Sequence, residues 1–225
     1  MVIGHRGAMG HVTENTLASV QKALDMGVDM IEIDVFKIKS GEVVVFHDDT
    51  LERLTDGQGK IEDRTLAELK ALNLEGGHEI PELWEVLDLM DNQVALNIEL
   101  KGGGTAVPVN GLMERYIRER GWYPRNFVIS SFKWDELRSI RKENELVQIA
   151  VLTDKAPEDA IQVAQELQAM AINPHFSTLN EENVAQIHGE DLRIFPWTVN
   201  QASDIQRMMD LGVDGIITNF PERIH

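Results

Sequence analysis

Two carboxylates, Glu32 and Asp34, lie two residues apart in the run Met30-Ile31-Glu32-Ile33-Asp34-Val35. Along a β-strand alternate side chains share a face, so the two acids point one way and Ile31, Ile33 and Val35 the other. Bare carboxylates brought together in a core repel, and desolvating each costs several kcal/mol. A hard divalent cation with oxygen ligands suits such a pair. A second alternation, Asn97-Ile98-Glu99-Leu100-Lys101, puts Asn97, Glu99 and Lys101 on one face. His5-Arg6-Gly7 and His47-Asp48 end two further aliphatic runs, and Trp197-Thr198-Val199-Asn200 and Thr218-Asn219 end two more. Each feature alone has an ordinary explanation. Acidic alternations are mostly solvated edge strands, a strand-end His is mostly scaffolding, Glu99 with Lys101 reads as a surface ion pair, and Trp197 as core. Three carboxylates, two His, an Arg and a Lys at one end of one fold are a different matter. They supply a metal site, positive charge and proton carriers for work on an anion.

Positioning them falls to short aliphatic runs that alternate with helical patterns. Strands are expected at Val2–Gly4, Met30–Val35, Val43–Phe46, Ala95–Leu100, Phe127–Ser130, Gln148–Leu152, Ala169–Asn173, Arg193–Trp197 and Gly215–Ile217. Helices are expected at 14–26, 65–72, 82–90, 108–120, 134–144, 157–168, 180–188 and 201–211. In the first helix Thr13 is the expected cap, Leu17, Val20 and Leu24 the buried stripe, and Gly27 the left-handed stop. Met26-Gly27-Val28-Asp29-Met30-Ile31 is echoed by Leu211-Gly212-Val213-Asp214-Gly215-Ile216, two helix-to-strand junctions of a repeated unit, which implies a parallel sheet. Val43–Phe46 follows Val35 through a turn at Ser40-Gly41 that is too short for a crossover, so it is expected to be antiparallel.

Eight parallel strands remain. The expected fold is α/β, a (βα)8 TIM barrel forming one catalytic domain over residues 1–225. It carries an extra antiparallel strand and a long loop after the second strand, and a truncated last helix, since only Thr218–His225 follow the last strand. An open doubly wound sheet is the alternative, but no Gly-x-Gly-x-x-Gly follows the first strand. The polar stretch 47–64 exceeds ordinary connection lengths and is expected to be functional or mobile. In a barrel the chemistry lies at the C-terminal strand ends, where all the candidates fall.

The totals exclude several classes. With no cysteine there is no disulfide, thiolate nucleophile or Cys-based zinc site. A net charge of −17 opposes nucleic-acid binding, which needs a basic footprint, and means that an anionic substrate must be met by a local cluster of cations. Met1-Val2-Ile3-Gly4-His5 has neither a charged nor an apolar leader segment, and no apolar run approaches the ~18 residues of a membrane span. The expected location is therefore cytoplasmic, with no stable membrane association. Nothing in the sequence selects between monomer and homo-oligomer.

The sequence resembles the glycerophosphodiester phosphodiesterase family over nearly its whole length. The resemblance is carried by His5-Arg6-Gly7, Glu14-Asn15-Thr16, Glu32-Ile33-Asp34-Val35, His47-Asp48 and Leu51-Glu52-Arg53. It continues through Gly57-Gln58-Gly59, Ile80-Pro81, Glu99-Leu100-Lys101, Trp197-Thr198-Val199-Asn200 and Gly215-Ile216-Ile217-Thr218. It implies a (βα)8 barrel that hydrolyses small-molecule glycerophosphodiesters to sn-glycerol 3-phosphate and an alcohol with one divalent cation, Mg²⁺ or Ca²⁺. It also implies roles: His5 and His47 as the acid/base pair, Glu32, Asp34 and Glu99 as metal ligands, Arg6 and Lys101 as phosphate-binding groups. Trp197 is expected to line the glycerol or alcohol pocket. Thr13 stands where the family commonly has Pro, and Asn219 where Asp is frequent.

Rival readings are a phospholipase D-like barrel acting on membrane lipids, an enolising or aldolase-type barrel with Lys101 as base, and a barrel that only binds a phosphorylated ligand. The net charge opposes the first. Two His and an Arg are surplus to the second, and the full set of acids and histidines speaks against the third.

Overall fold

The computed structural model describes residues 1–224. Strands β1 (Val2–Gly4), β2 (Met30–Lys37), β3 (Val43–Val45), β4 (Ala95–Leu100), β5 (Phe127–Ser131), β6 (Gln148–Thr153), β7 (Ala171–Pro174), β8 (Arg193–Ile194) and β9 (Ile216–Thr218) form one sheet. Its path runs β8-β7-β6-β5-β4-β2-β1-β9, every neighbouring pair parallel, with β3 antiparallel on β2 as expected. The circle closes where Ile217 N–H donates to Pro196 O at 3.0 Å and Val199 N–H to Ile217 O at 2.9 Å. Helices α1 (Leu17–Asp25), α3 (Leu83–Met90), α4 (Ala106–Arg120), α5 (Trp134–Glu143), α6 (Glu158–Glu166), α7 (Glu181–Gly189) and α8 (Ala202–Asp210) connect the strands, and a short α2 (Leu66–Lys70) lies in the excursion, the antiparallel β3 and the chain from it to α3. Among the described residues, β9 is followed only by a 3-10 turn at Pro221–Arg223; His225 lies outside them.

Strand alternation sorts the side chains into layers. Ile31, Ile33 and Val35 face outward into the main core shared with the helices. Ile3, Met30, Val128, Ala150, Ala171, Phe195 and Ile217 plug the lower barrel lumen, one from nearly every strand, so the barrel is filled below and polar only above.

Three boundaries depart from the sequence reading for a local reason, and one loop is better packed than its composition suggests. Helix α1 is capped by Thr16 rather than Thr13: Thr16 Oγ1 accepts from Ser19 N–H at 3.1 Å and donates to Thr13 O at 2.7 Å. Residues 14–15 are instead drawn to the site. Gly27 ends the helix at φ +71° as expected. Ala169 is tied back to the end of α6, its N–H donating to Ala164 O at 2.8 Å, so β7 starts later. The β8 ladder stops at Ile194, because Pro174 on β7 offers no N–H to return, although Phe195 N–H still reaches Ile172 O and Trp197 N–H Pro174 O, both at 3.1 Å. The stretch 47–64 is packed, not loose: Leu51, Leu54 and Ile61 are buried in a second core with Phe36, Ile38, Val44, Phe46, Leu69, Leu74 and Ile80.

Candidate active site

Parallel register brings the acids together. Glu32 pairs with Asn97 and Asp34 with Glu99 across β2 and β4, and all four side chains are buried. Glu32, Asp34 and Glu99 each present a carboxylate oxygen within 4.8 Å of the others. Oxygens around one divalent ion stand no further apart than twice the metal–oxygen distance, roughly 4–5 Å, so this spacing fits a single ion. Glu32 Oε1 is buried with no protein partner, the mark of an oxygen aimed at something else. Burial, with Asp34 and Glu99 alongside, raises the Glu32 carboxyl well above its ordinary range. Burial and Asp34 push Glu99 up to about 7 against the pull of Lys101. Asp34 goes the other way: burial would raise it, but Arg6, His47, Lys101 and the Asn15 hydrogen bond hold it below the ordinary value.

The β1 loop is built to deliver His5 and Arg6. Arg6 sits at φ +51° and Gly7 at φ +83°, left-handed positions that turn the chain back under the strand ends. A Cβ on Gly7 would meet Ser19 backbone at 2.5 Å, so only glycine fits. Ser19 Oγ accepts from Ala8 N–H and donates to Arg6 O, both at 2.9 Å, tying the loop to α1. Arg6 N–H donates to Glu32 Oε2 at 2.9 Å, its Nη1 to Glu14 Oε1 at 2.6 Å, and its Nε stands 3.2 Å from Asp34 Oδ2. Lys101 Nζ lies 3.0 Å from Glu99 Oε1 and 3.9 Å from Asp34 Oδ1.

Both histidines show Nε2 to the cleft. His5 Nδ1 lies 2.7 Å from Asn219 Oδ1, which can only accept, and His47 Nδ1 lies 2.6 Å from Asp48 Oδ1. Lys101 Nζ stands 3.3 Å from His47 Nε2. Burial and the Arg6 charge push His5 down to about 4. Burial lowers His47 too, against the attraction of Asp34.

One cleft with about 420 Å³ of empty space is lined by His5, Arg6, Glu32, His47, Glu99, Lys101 and Trp197, with Asp34 beneath it at 1% exposure. All eight residues expected from sequence thus converge. Trp197 donates its indole N–H to Asn173 O at 2.9 Å and packs edge-on against Phe132 at 5.3 Å. Sequence reasoning missed Asn15, whose amide donates to Asp34 Oδ2 at 2.9 Å, and the cleft residues Ser130 and Phe132. Asn15 lies in a motif already marked, and Ser130 alternates with Val128 on a strand; Phe132 lies just beyond that strand and left no pattern to read.

The sequence profile described as the glycerophosphoryl diester phosphodiesterase family matches residues 5–223. The chain belongs to this family. A glycerophosphodiester phosphodiesterase of Caldanaerobacter subterraneus subsp. tengcongensis is 36% identical over 100% of this chain and 96% of its own length. One from Bacillus subtilis is 31% identical over 100% of this chain and 85% of its own. The structure of an Oleispira antarctica phosphodiesterase in complex with the product sn-glycerol-3-phosphate superposes with a TM-score of 0.91 at 28% identity, covering 100% of this chain and 94% of that one. The chain is accordingly an enzyme of the glycerophosphodiester phosphodiesterase class, a phosphoric diester hydrolase on a (βα)8 barrel. Among the described residues no helix is long and apolar enough to cross a membrane.

The electrostatics of the triad give a test that needs no substrate. With no ion bound, Glu99 holds its proton to higher pH in the folded chain than in the unfolded one. Its contribution to stability is therefore full below about 4.5 and lost as pH rises through about 7. In chelator, the melting temperature of the wild type relative to Glu99→Gln is expected to fall across that window. A constant difference would show that Glu99 does not titrate there.

Proposed function

We propose that this chain, as one catalytic domain, hydrolyses glycerophosphodiesters to sn-glycerol 3-phosphate and an alcohol. In this reading Glu32, Asp34 and Glu99 hold one divalent cation, Mg²⁺ or Ca²⁺, and His5 and His47 are the acid/base pair. The observation that carries it is the pair of imidazole Nε2 atoms facing one cleft above an acid triad and two cations. When bound, the cation supplies Lewis-acid polarisation of a phosphoryl oxygen.

The chain's own residues do the rest. Arg6 and Lys101 bring positive charge to the place where the phosphoryl oxygens gain negative charge. Arg6 is a planar fork already oriented by Glu14, and Lys101 a point charge oriented by Glu99. The attacking oxygen, from water or from the glycerol 2-hydroxyl, loses a proton to one imidazole. The departing alkoxide takes a proton from the other. Both rings are held neutral by burial, and the phosphodiester anion between them favours the protonated form of one, so the pair works with a single shared proton. Trp197 and Phe132 give an apolar wall for the carbon skeleton of the substrate.

The bond that breaks identifies the reaction. Phosphorus NMR of products from sn-glycero-3-phosphocholine is expected to show sn-glycerol 3-phosphate. Phosphocholine as the only phosphorus product would place the cleavage on the wrong side and overturn this reading.

A further inference from the structure

Two motifs from the sequence, Leu51-Glu52-Arg53 and Glu14-Asn15-Thr16, include Arg53, which the chemistry above does not use, and Glu14, which enters it only by orienting Arg6. They meet at the rim of the cleft. Arg53 Nη1 donates to Glu14 Oε2 at 2.9 Å and its Nη2 to Glu14 Oε1 at 2.7 Å. On its other edge Nε and Nη2 both donate to Asp48, the latter at 3.0 Å to Oδ1. Asp48 Oδ1 is the oxygen that accepts from His47 Nδ1, and Glu14 Oε1 the one that accepts from Arg6 Nη1. One guanidinium therefore joins His47, from just beyond β3, to Arg6, from the end of β1, through two carboxylates.

The joint is anchored. Leu51 and Leu54, on either side of Arg53, are 1% and 7% exposed in the second core, which fixes the backbone from which Arg53 reaches. Glu14 is nearly buried, so it needs both of its arginines. Four donations to two carboxylates from one planar group fit arginine; an ammonium is a single point and cannot span both.

We propose that Arg53 is a positioning residue for the reaction. By holding Asp48 it keeps the His47 proton on Nδ1 and the Nε2 lone pair toward the cleft, and by holding Glu14 it keeps Arg6 over the acid triad. The 3.3 Å approach of Lys101 Nζ to His47 Nε2 belongs to the same tautomer, since the ammonium can only donate. This assignment rests on the roles given to His47 and Arg6 above. It also gives the packed excursion a function, as the support that brings a third arm of the network to the barrel mouth.

The test separates this assignment from the function it rests on. Imidazole nitrogen NMR of the wild type is expected to show His47 protonated at Nδ1, with Arg53→Ala and Asp48→Asn both moving it to a mixture of tautomers. Wild-type protein and folded Arg53→Ala are then compared with sn-glycero-3-phosphocholine in saturating Mg²⁺ or Ca²⁺. The variant is expected to lose about 10- to 100-fold in kcat, the scale of a small displacement of an acting group, and Arg53→Lys to recover little of it. A His47 tautomer unchanged in Arg53→Ala overturns the proposal whatever happens to kcat. Absence of hydrolysis by the wild type would instead count against the reading of function and leave the NMR result to decide the role of Arg53.

Discussion

His5→Ala and His47→Ala each lower turnover by at least ~10²-fold and leave the barrel folded. Neither ring belongs to a hydrophobic cluster, and their side chains are 14% and 29% exposed toward the cleft, so truncation opens no cavity in a core. The loss comes from proton transfer. The leaving alkoxide is a strong base and departs slowly without a donor, and the attacking oxygen is a poor nucleophile while it keeps its proton. Each imidazole is already oriented through Nδ1, His5 by Asn219 and His47 by Asp48, so no neighbouring group can take its place without moving. Steady-state kinetics at neutral pH with a melting curve for each variant is the check. Near-normal turnover in either variant would remove that histidine from the mechanism.

The acid triad gives the second large effect, and it has a stability signature that distinguishes its members. Glu32→Gln and Asp34→Asn are each expected to cost at least ~10²-fold in activity at any concentration of Mg²⁺ or Ca²⁺, the scale of losing one charge-stabilising group at a reacting centre. Their effects on the metal-free fold differ in sign. Glu32 is a buried carboxylate raised by burial and by its two acidic neighbours, with one oxygen unpartnered, so an uncharged replacement relieves repulsion and the melting temperature in chelator rises. Asp34 is held by Arg6 and Asn15, with Lys101 nearby; its neutralisation strands those partners and the melting temperature falls. Shifts of the same sign in both would contradict the account of the charges.

Much of this site was legible because strand chemistry is periodic. Alternation alone put Glu32 with Asp34 and Glu99 with Lys101, and parallel pairing of β2 with β4 turned two separate pairs into one cluster. The excursion was legible from a turn too short for a crossover. What stayed hidden depends on tertiary routes that leave no period. Thr13 and Thr16 are equally good caps by local rules, and Thr16 wins because Glu14 and Asn15 are drawn onto Arg6 and Asp34. The stretch 47–64 looks polar because its few apolar residues, Leu51, Leu54 and Ile61, are spaced by no regular repeat, yet each finds the second core. Phe132 lies one residue beyond β5, outside the strand alternation, and lines the cleft.

The central claim is that the acids and the histidines act together on one phosphodiester. Metal-stripped protein, given sn-glycero-3-phosphocholine and titrated with Mg²⁺, Ca²⁺ and then EDTA, tests it most directly. Release of sn-glycerol 3-phosphate that starts with added ion and stops with chelator is the result expected. Equal release from stripped, loaded and chelated protein, or none from folded protein with either ion, would contradict the account.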